Sequence, residues 1–131
     1  MELPEFAPGT SARVELTVTD ADTAQSVGSG DVPVLATPRV LALAEAATVA
    51  ATARQLPGGI TTVGTRAEVE HHAPTPVGRR VTALATLTKT DGRKLFFEVV
   101  VRDADDLVAE VRIERILIDR QRFIQKAMGD R

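Results

Sequence analysis

The sequence predicts an α+β fold, an antiparallel sheet wrapped around one long central helix, and three observations carry that expectation. Thr37-Pro38 opens a stretch, Val40 to Ala53 (VLALAEAATVAATA), whose only ionisable residue is Glu45. Four alternating, strand-like segments joined by short turns follow it, and one more precedes it. One strand, one helix and then a run of strands is the α+β order rather than a repeating βαβ order.

Each element has a local cause. Residues 12–20 (ARVELTVTD) alternate, with Val14, Leu16 and Val18 on one face, and read as the first strand. Residues 21–36 hold Gly28, Gly30 and Pro33 and read as a loop. Thr37 has helix N-cap chemistry, and Pro38 suits a first helical position, where no N–H is needed. The helix is expected over Pro38–Gln55, stopping at Leu56-Pro57-Gly58-Gly59. Being apolar nearly all round, it is expected to be buried. Further strands are expected over 60–72, 79–90, 94–103 and 107–119, with Asp91-Gly92 as a tight hairpin turn. The basic tail, Arg120 to Arg131, is expected to form a short helix.

Composition narrows the function classes. A chain of 131 residues fits one domain, spanning 1–131. With 44% hydrophobic residues but four Phe and no Trp or Tyr, the core must be built from Val, Leu, Ile and Ala. A net charge of -2 argues against a nucleic-acid partner, which needs a basic stripe. Without cysteine there is no disulfide framework, thiolate nucleophile or Cys-ligated metal. MELPEFAPGT has no basic segment followed by an apolar run, and no apolar run approaches the ~18 residues of a membrane span. A soluble, cytoplasmic protein without a membrane partner is the expectation.

Four polar residues stand out against this pattern. Strict alternation along Ile60–His72 groups Val63, Thr65, Ala67, Val69 and His71 on one face, and Arg66, Glu68, Glu70 and His72 on the other. His71 thus falls on the apolar side, as a core histidine or a proton-transfer group. In the last strand Arg115 is the one charge on a face shared with Leu107, Ala109, Val111, Ile113 and Leu117. A buried guanidinium needs an anion, so Arg115 pairs with Glu45 or meets a ligand. Glu45, Thr48 and Thr52 form a narrow polar strip on the helix, suited to a cleft wall or a subunit interface. The helix N-terminus beside Thr37 suits an anion or a developing oxyanion. His71 and His72 point to opposite faces, so they make a poor metal pair, and no phosphate loop or metal-ligand cluster competes.

These residues resemble a known family. Ala36-Thr37 leads into a helix with Glu45 eight residues on; Gly64-Thr65 is followed by His71, then Thr75-Pro76-Val77-Gly78, and Glu114-Arg115 lies in the last strand. In order and spacing, over about residues 28 to 123, the chain is similar to the hotdog-fold acyl-CoA thioesterases, and within them to the fluoroacetyl-CoA thioesterase group. The resemblance implies a hotdog fold and hydrolysis of a small acyl-CoA thioester to the free acid and CoA, without a cofactor. It implies that Thr37, Glu45 and His71 are catalytic, with Thr37, Glu45 or a water as nucleophile, and that Gly64 and Arg115 contact substrate. Fluoroacetyl-specific members carry lid phenylalanines just before the helix; Val27–Leu35 (VGSGDVPVL) has none, so the acyl group is left open. Thr37 and Glu45 lie about 12 Å apart along a helix, so a homodimer with the site at or near its interface is expected. The alternative is a non-catalytic acyl- or CoA-binding module on the same fold.

Overall fold

The computed structural model describes residues 1–129; Asp130 and Arg131, the end of the basic tail, lie outside the described residues. In chain order the elements are β1 (Ser11–Thr17), α1 (Ala24–Val27), α2 (Thr37–Thr52), β2 (Ile60–His71), β3 (Arg80–Asp91), β4 (Lys94–Asp103), β5 (Asp106–Asp119) and α3 (Arg120–Met128). The five strands form one antiparallel sheet in the order β1-β3-β4-β5-β2, leaving β1 and β2 as edges. Helix α2 lies across one face, packed mainly on β1 and β3.

The core is aliphatic, as the composition requires. Val40, Leu43, Ala44 and Ala47 of α2 join Val81 and Ala83 of β3, Leu95, Phe97 and Val99 of β4, and Val111, Ile113 and Leu117 of β5. Gly92, at φ 58°, supplies the left-handed residue of the Asp91-Gly92 turn.

Three expectations need correction. The helix is buried on one side only: Ala42, Ala46, Val49 and Ala50 form an exposed apolar stripe, because a single sheet covers just one face of a helix. The strand β2 does not alternate strictly. Its register against β5 slips between Gly64 and Arg66, leaving Thr65 unpaired as a bulge. Directly paired residues share a face, so Thr62 and Gly64, opposite Leu117 and Arg115, join Ala67, Val69 and His71 on the helix side, and Val63 and Thr65 do not. Finally, residues 21–36 are not all loop. A short 3-10 turn (Asp20–Asp22) and α1 interrupt them, with Thr19 and Thr23 as caps.

Asp22 ties this segment to the helix. Its carbonyl accepts from the Ala36 N–H at 2.9 Å. Its carboxylate accepts from the Thr19 N–H at 2.8 Å, the Thr19 hydroxyl at 3.0 Å and Arg39 Nε at 2.9 Å. Burial pushes the Asp22 carboxyl up, but these hydrogen bonds and the Arg39 charge outweigh it, and the group sits below its ordinary value. A carboxyl lowered by folding adds stability above its unfolded pKa, and that contribution is lost as pH falls through the folded value. Asp22→Asn should therefore cost about 1–3 kcal/mol at pH 7. In urea denaturation followed from neutral pH to below about 4, the gap to the parent should shrink with acidity; a gap independent of pH would contradict this.

Candidate active site

Thr37 is not the helix cap. Ala36 occupies that position with extended backbone and no side-chain capping bond, and Thr37 is the first residue within α2. Its hydroxyl is thus free of the backbone and lies 2.8 Å from His71 Nδ1, at the end of β2. The anion site expected at the helix N-terminus is smaller than four open amides. Ala36 donates to Asp22, Pro38 has no N–H, and Arg39 and Val40 both donate to the Ala36 carbonyl, so the Thr37 amide remains beside its own hydroxyl.

His71 is half-buried, and its Nε2 atom is fully enclosed without a hydrogen-bond partner. Burial lowers its pKa below the ordinary imidazole value and the neighbouring His72 lowers it further, while the Ala73 backbone acts in the opposite direction. The ring is therefore neutral at neutral pH, the state in which Nδ1 can accept a proton from the Thr37 hydroxyl. His72 is exposed and hydrogen-bonds Glu110 Oε1 at 3.0 Å on the opposite face. A shallow cleft of about 320 Å³ opens beside the pair, lined by Val32, Val34, Leu35, Ala36, Thr37 and His71 among others.

Glu45, Gly64 and Arg115 form a second cluster. Arg115 Nη1 donates to Glu45 Oε2 at 3.2 Å, Nε to the Thr62 hydroxyl at 2.9 Å, and Nη2 to the Thr62 carbonyl at 2.9 Å. The guanidinium side chain is only 7% exposed, against 41% for Glu45, so a buried cation holds a carboxylate that still reaches solvent. Burial lowers the Arg115 pKa and Glu45 partly restores it. Gly64 is favoured by space rather than by backbone angle: a Cβ there would lie 2.6 Å from Glu45 Oε2 and 3.4 Å from Arg115 Nη1.

One chain therefore brings Thr37 to His71 and Glu45 to Gly64 and Arg115, but leaves the two clusters two helical turns apart. The polar strip on α2 also resolves differently from expectation. Thr48 and Thr52 are fully buried, and their hydroxyls donate back to the carbonyls of Glu45 and Thr48, at 2.6 and 3.5 Å. Neither lines a cleft. Thr62 was hidden in the sequence because strict alternation puts it on the outer face; only the bulge turns it inward. Among the described residues no group of three or more His, Cys, Asp or Glu could hold a metal, and no helix is long and apolar enough to cross a membrane.

This geometry makes Gly64→Ala a sharp probe. Its methyl group would meet Glu45 Oε2, the end of a flexible and partly exposed side chain, so the carboxylate turns aside and its contact with the Arg115 guanidinium weakens. We expect a lower unfolding midpoint in urea and reduced turnover, with Gly64→Ala/Glu45→Ala no less stable than Glu45→Ala alone. Parental stability and turnover in Gly64→Ala would show that the contact is slack.

Comparison with known proteins agrees with the architecture. Residues 18–121 match the family described as fluoroacetyl-CoA-specific thioesterase. The chain is 37% identical over 93 residues to the fluoroacetyl-CoA thioesterase of Streptantibioticus cattleyicolor, covering 71% of this chain and 67% of that one. A solved variant of the fluoroacetyl-CoA-specific thioesterase, in complex with fluoroacetate and CoA, superposes with a TM-score of 0.81 at 30% identity, over 90% of this chain and 99% of the other. A hot-dog-like protein from Thermanaerovibrio acidaminovorans superposes at 0.83 with 25% identity, over 94% and 93%. With its helix wrapped by a five-stranded antiparallel sheet, the chain has the hotdog fold and belongs to the fluoroacetyl-CoA-specific thioesterase family.

Proposed function

We propose that this protein hydrolyses a small acyl-CoA thioester to the free acid and CoA, using Thr37, Glu45 and His71 as catalytic residues and Gly64 and Arg115 as substrate contacts. The observation that carries the roles is the 2.8 Å approach of the Thr37 hydroxyl to His71 Nδ1, a nucleophile and a neutral base within one hydrogen bond. His71 takes the Thr37 proton as the hydroxyl oxygen attacks the thioester carbonyl. The Thr37 N–H faces the developing oxyanion, and the proton passes to the departing CoA sulfur. Water then cleaves the threonine ester with the same histidine as base. Glu45, oriented by Arg115, acts as the second polar wall, on the acyl side.

The test is release of free thiol from a panel of short and aromatic acyl-CoAs. His71→Ala should lose about 10²–10⁴-fold in rate, and His72→Ala should stay close to the parent. Because burial holds the His71 pKa down, the acidic limb of kcat/KM should fall below the ordinary imidazole range. Inactivity of His72→Ala, or normal hydrolysis by both variants, would reject the assignment. Binding of CoA with no hydrolysis of any panel member would turn the reading into that of a binding module.

The same proposal includes a homodimer. Two features support it: the exposed apolar stripe Ala42, Ala46, Val49 and Ala50 on α2, and the unpaired outer edge of β2. A second copy covering that stripe gives the two half-sites a means of meeting across the interface. Sedimentation at micromolar concentration should give twice the chain mass, and Ala46→Arg should yield an inactive monomer. A fully active monomer would refute it.

A further inference from the structure

The basic tail supplies a charge cluster that neither polar site uses. Where β5 runs into α3, a cleft of about 450 Å³ opens at the end of the sheet. Arg122, Phe123 and Lys126 of α3 line it with Ile118, Asp119 and Arg93, the last from the turn between β3 and β4. Positions 119, 122, 123 and 126 are three and four residues apart, so one stripe of the helix borders the cleft. Arg93 is fixed to β5, because its carbonyl accepts from the Leu117 N–H at 2.8 Å. The Arg120 N–H donates to the Gly59 carbonyl at 2.9 Å and ties the start of α3 to the approach of β2.

The charges of this cleft are not balanced from within. Among the described residues, the side chains of Arg93, Arg122 and Lys126 take part in no ion pair or hydrogen bond. Asp119, the one acid on the lining, spends a carboxylate oxygen on the α3 cap, where it accepts from the Arg122 N–H at 3.1 Å. Three cations are thus gathered at one end of a chain whose net charge is -2. Phe123 stays 43% exposed among them. Cations that bind phosphate, with an exposed aromatic ring for a flat base, are the chemistry of a nucleotide. A helix that lies on a membrane separates its basic and apolar faces. Here Phe123 shares its stripe with Arg122 and Lys126.

We propose that this cleft takes the nucleotide end of CoA, with the phosphates on Arg93, Arg122 and Lys126 and the adenine against Phe123. The inference rests on the CoA-thioester and homodimer readings above and adds where the carrier is held. The cleft lies at the Ile60 end of β2, and His71 lies at the other end. Two β2 edges paired about a two-fold axis run antiparallel. The cleft of one copy then stands at the same end of the interface as the Thr37–His71 pair of the other.

The experiment measures CoA and pantetheine binding by calorimetry, and thiol release from one acyl group carried on CoA or on pantetheine. The variants are Arg122→Gln/Lys126→Gln, Arg93→Gln, and Arg13→Gln on the opposite edge strand β1 as a charge control. The double variant should unfold at the parental temperature, weaken CoA binding and raise KM for acyl-CoA about tenfold or more at unchanged kcat. It should treat the pantetheine thioester as the parent does. Arg93→Gln should show part of the loss and Arg13→Gln none. Parental CoA affinity and KM in the double variant overturn the inference, as does an equal loss on both carriers or an equal loss from Arg13→Gln. Two further outcomes reassign the cleft. Capture by phosphatidylglycerol vesicles of the parent but not the double variant, with KM for acyl-CoA parental in both, makes it a membrane contact. ADP binding that the double variant loses, without competition against acyl-CoA, makes it a site for a free nucleotide. If the parent hydrolyses no acyl-CoA but the double variant alone loses CoA binding, the cleft stands and the hydrolase reading fails. If hydrolysis proceeds with parental KM in the double variant, only the cleft assignment fails.

Discussion

A guanidinium set into an aliphatic sheet face must find every acceptor inside the protein, and much of this chain's local irregularity serves that one need. Arg115 faces Leu95 across β4 and Gly64 across β2, with Ile113 and Leu117 on its own strand. Its acceptors are the Thr62 hydroxyl, the Thr62 carbonyl and Glu45. The Thr65 bulge is what turns Thr62 and Gly64 toward the helix, and the missing side chain at Gly64 is what lets the Glu45 carboxylate come within reach. Bulge, glycine, threonine and glutamate are therefore one arrangement, since a lone buried cation is far more costly than a paired one.

The helix has two sides with different tasks. Its inner side spends Val40, Leu43, Ala44 and Ala47 on the core and folds the Thr48 and Thr52 hydroxyls back onto helix carbonyls. Its outer side keeps small apolar residues in contact with solvent in a single chain. At its start, the Asp22–Arg39 clamp and the Ala36 N–H bond to Asp22 fix the entry geometry without a side-chain cap. That releases the Thr37 hydroxyl, which a capping role would have consumed, for the His71 ring.

Two polar clusters are thus set apart along α2. The hydroxyl–imidazole pair sits at the helix start, and a carboxylate braced by arginine sits two turns on. Spanning that distance is a geometric requirement on any substrate held by both, and a second copy laid on the exposed stripe answers it in our proposal.

Much of this was legible in the sequence. Helix and strand periodicities, the Asp91-Gly92 turn and the lone charges Glu45 and Arg115 are local signals, and local backbone chemistry decides them. The opposite facing of His71 and His72 follows from strand alternation alone. The tertiary structure decided what depends on pairing between distant segments: the slip that puts Thr62 and Gly64 on the inner face, the clamp between Asp22 and Arg39, and the enclosure of Thr75. It also moved the cap from Thr37 to Ala36, because the Asp22 carbonyl holds the preceding backbone. Sequence periodicity assumes each strand keeps its count, and a single unpaired residue, visible only against its partner strand, reverses every face before it.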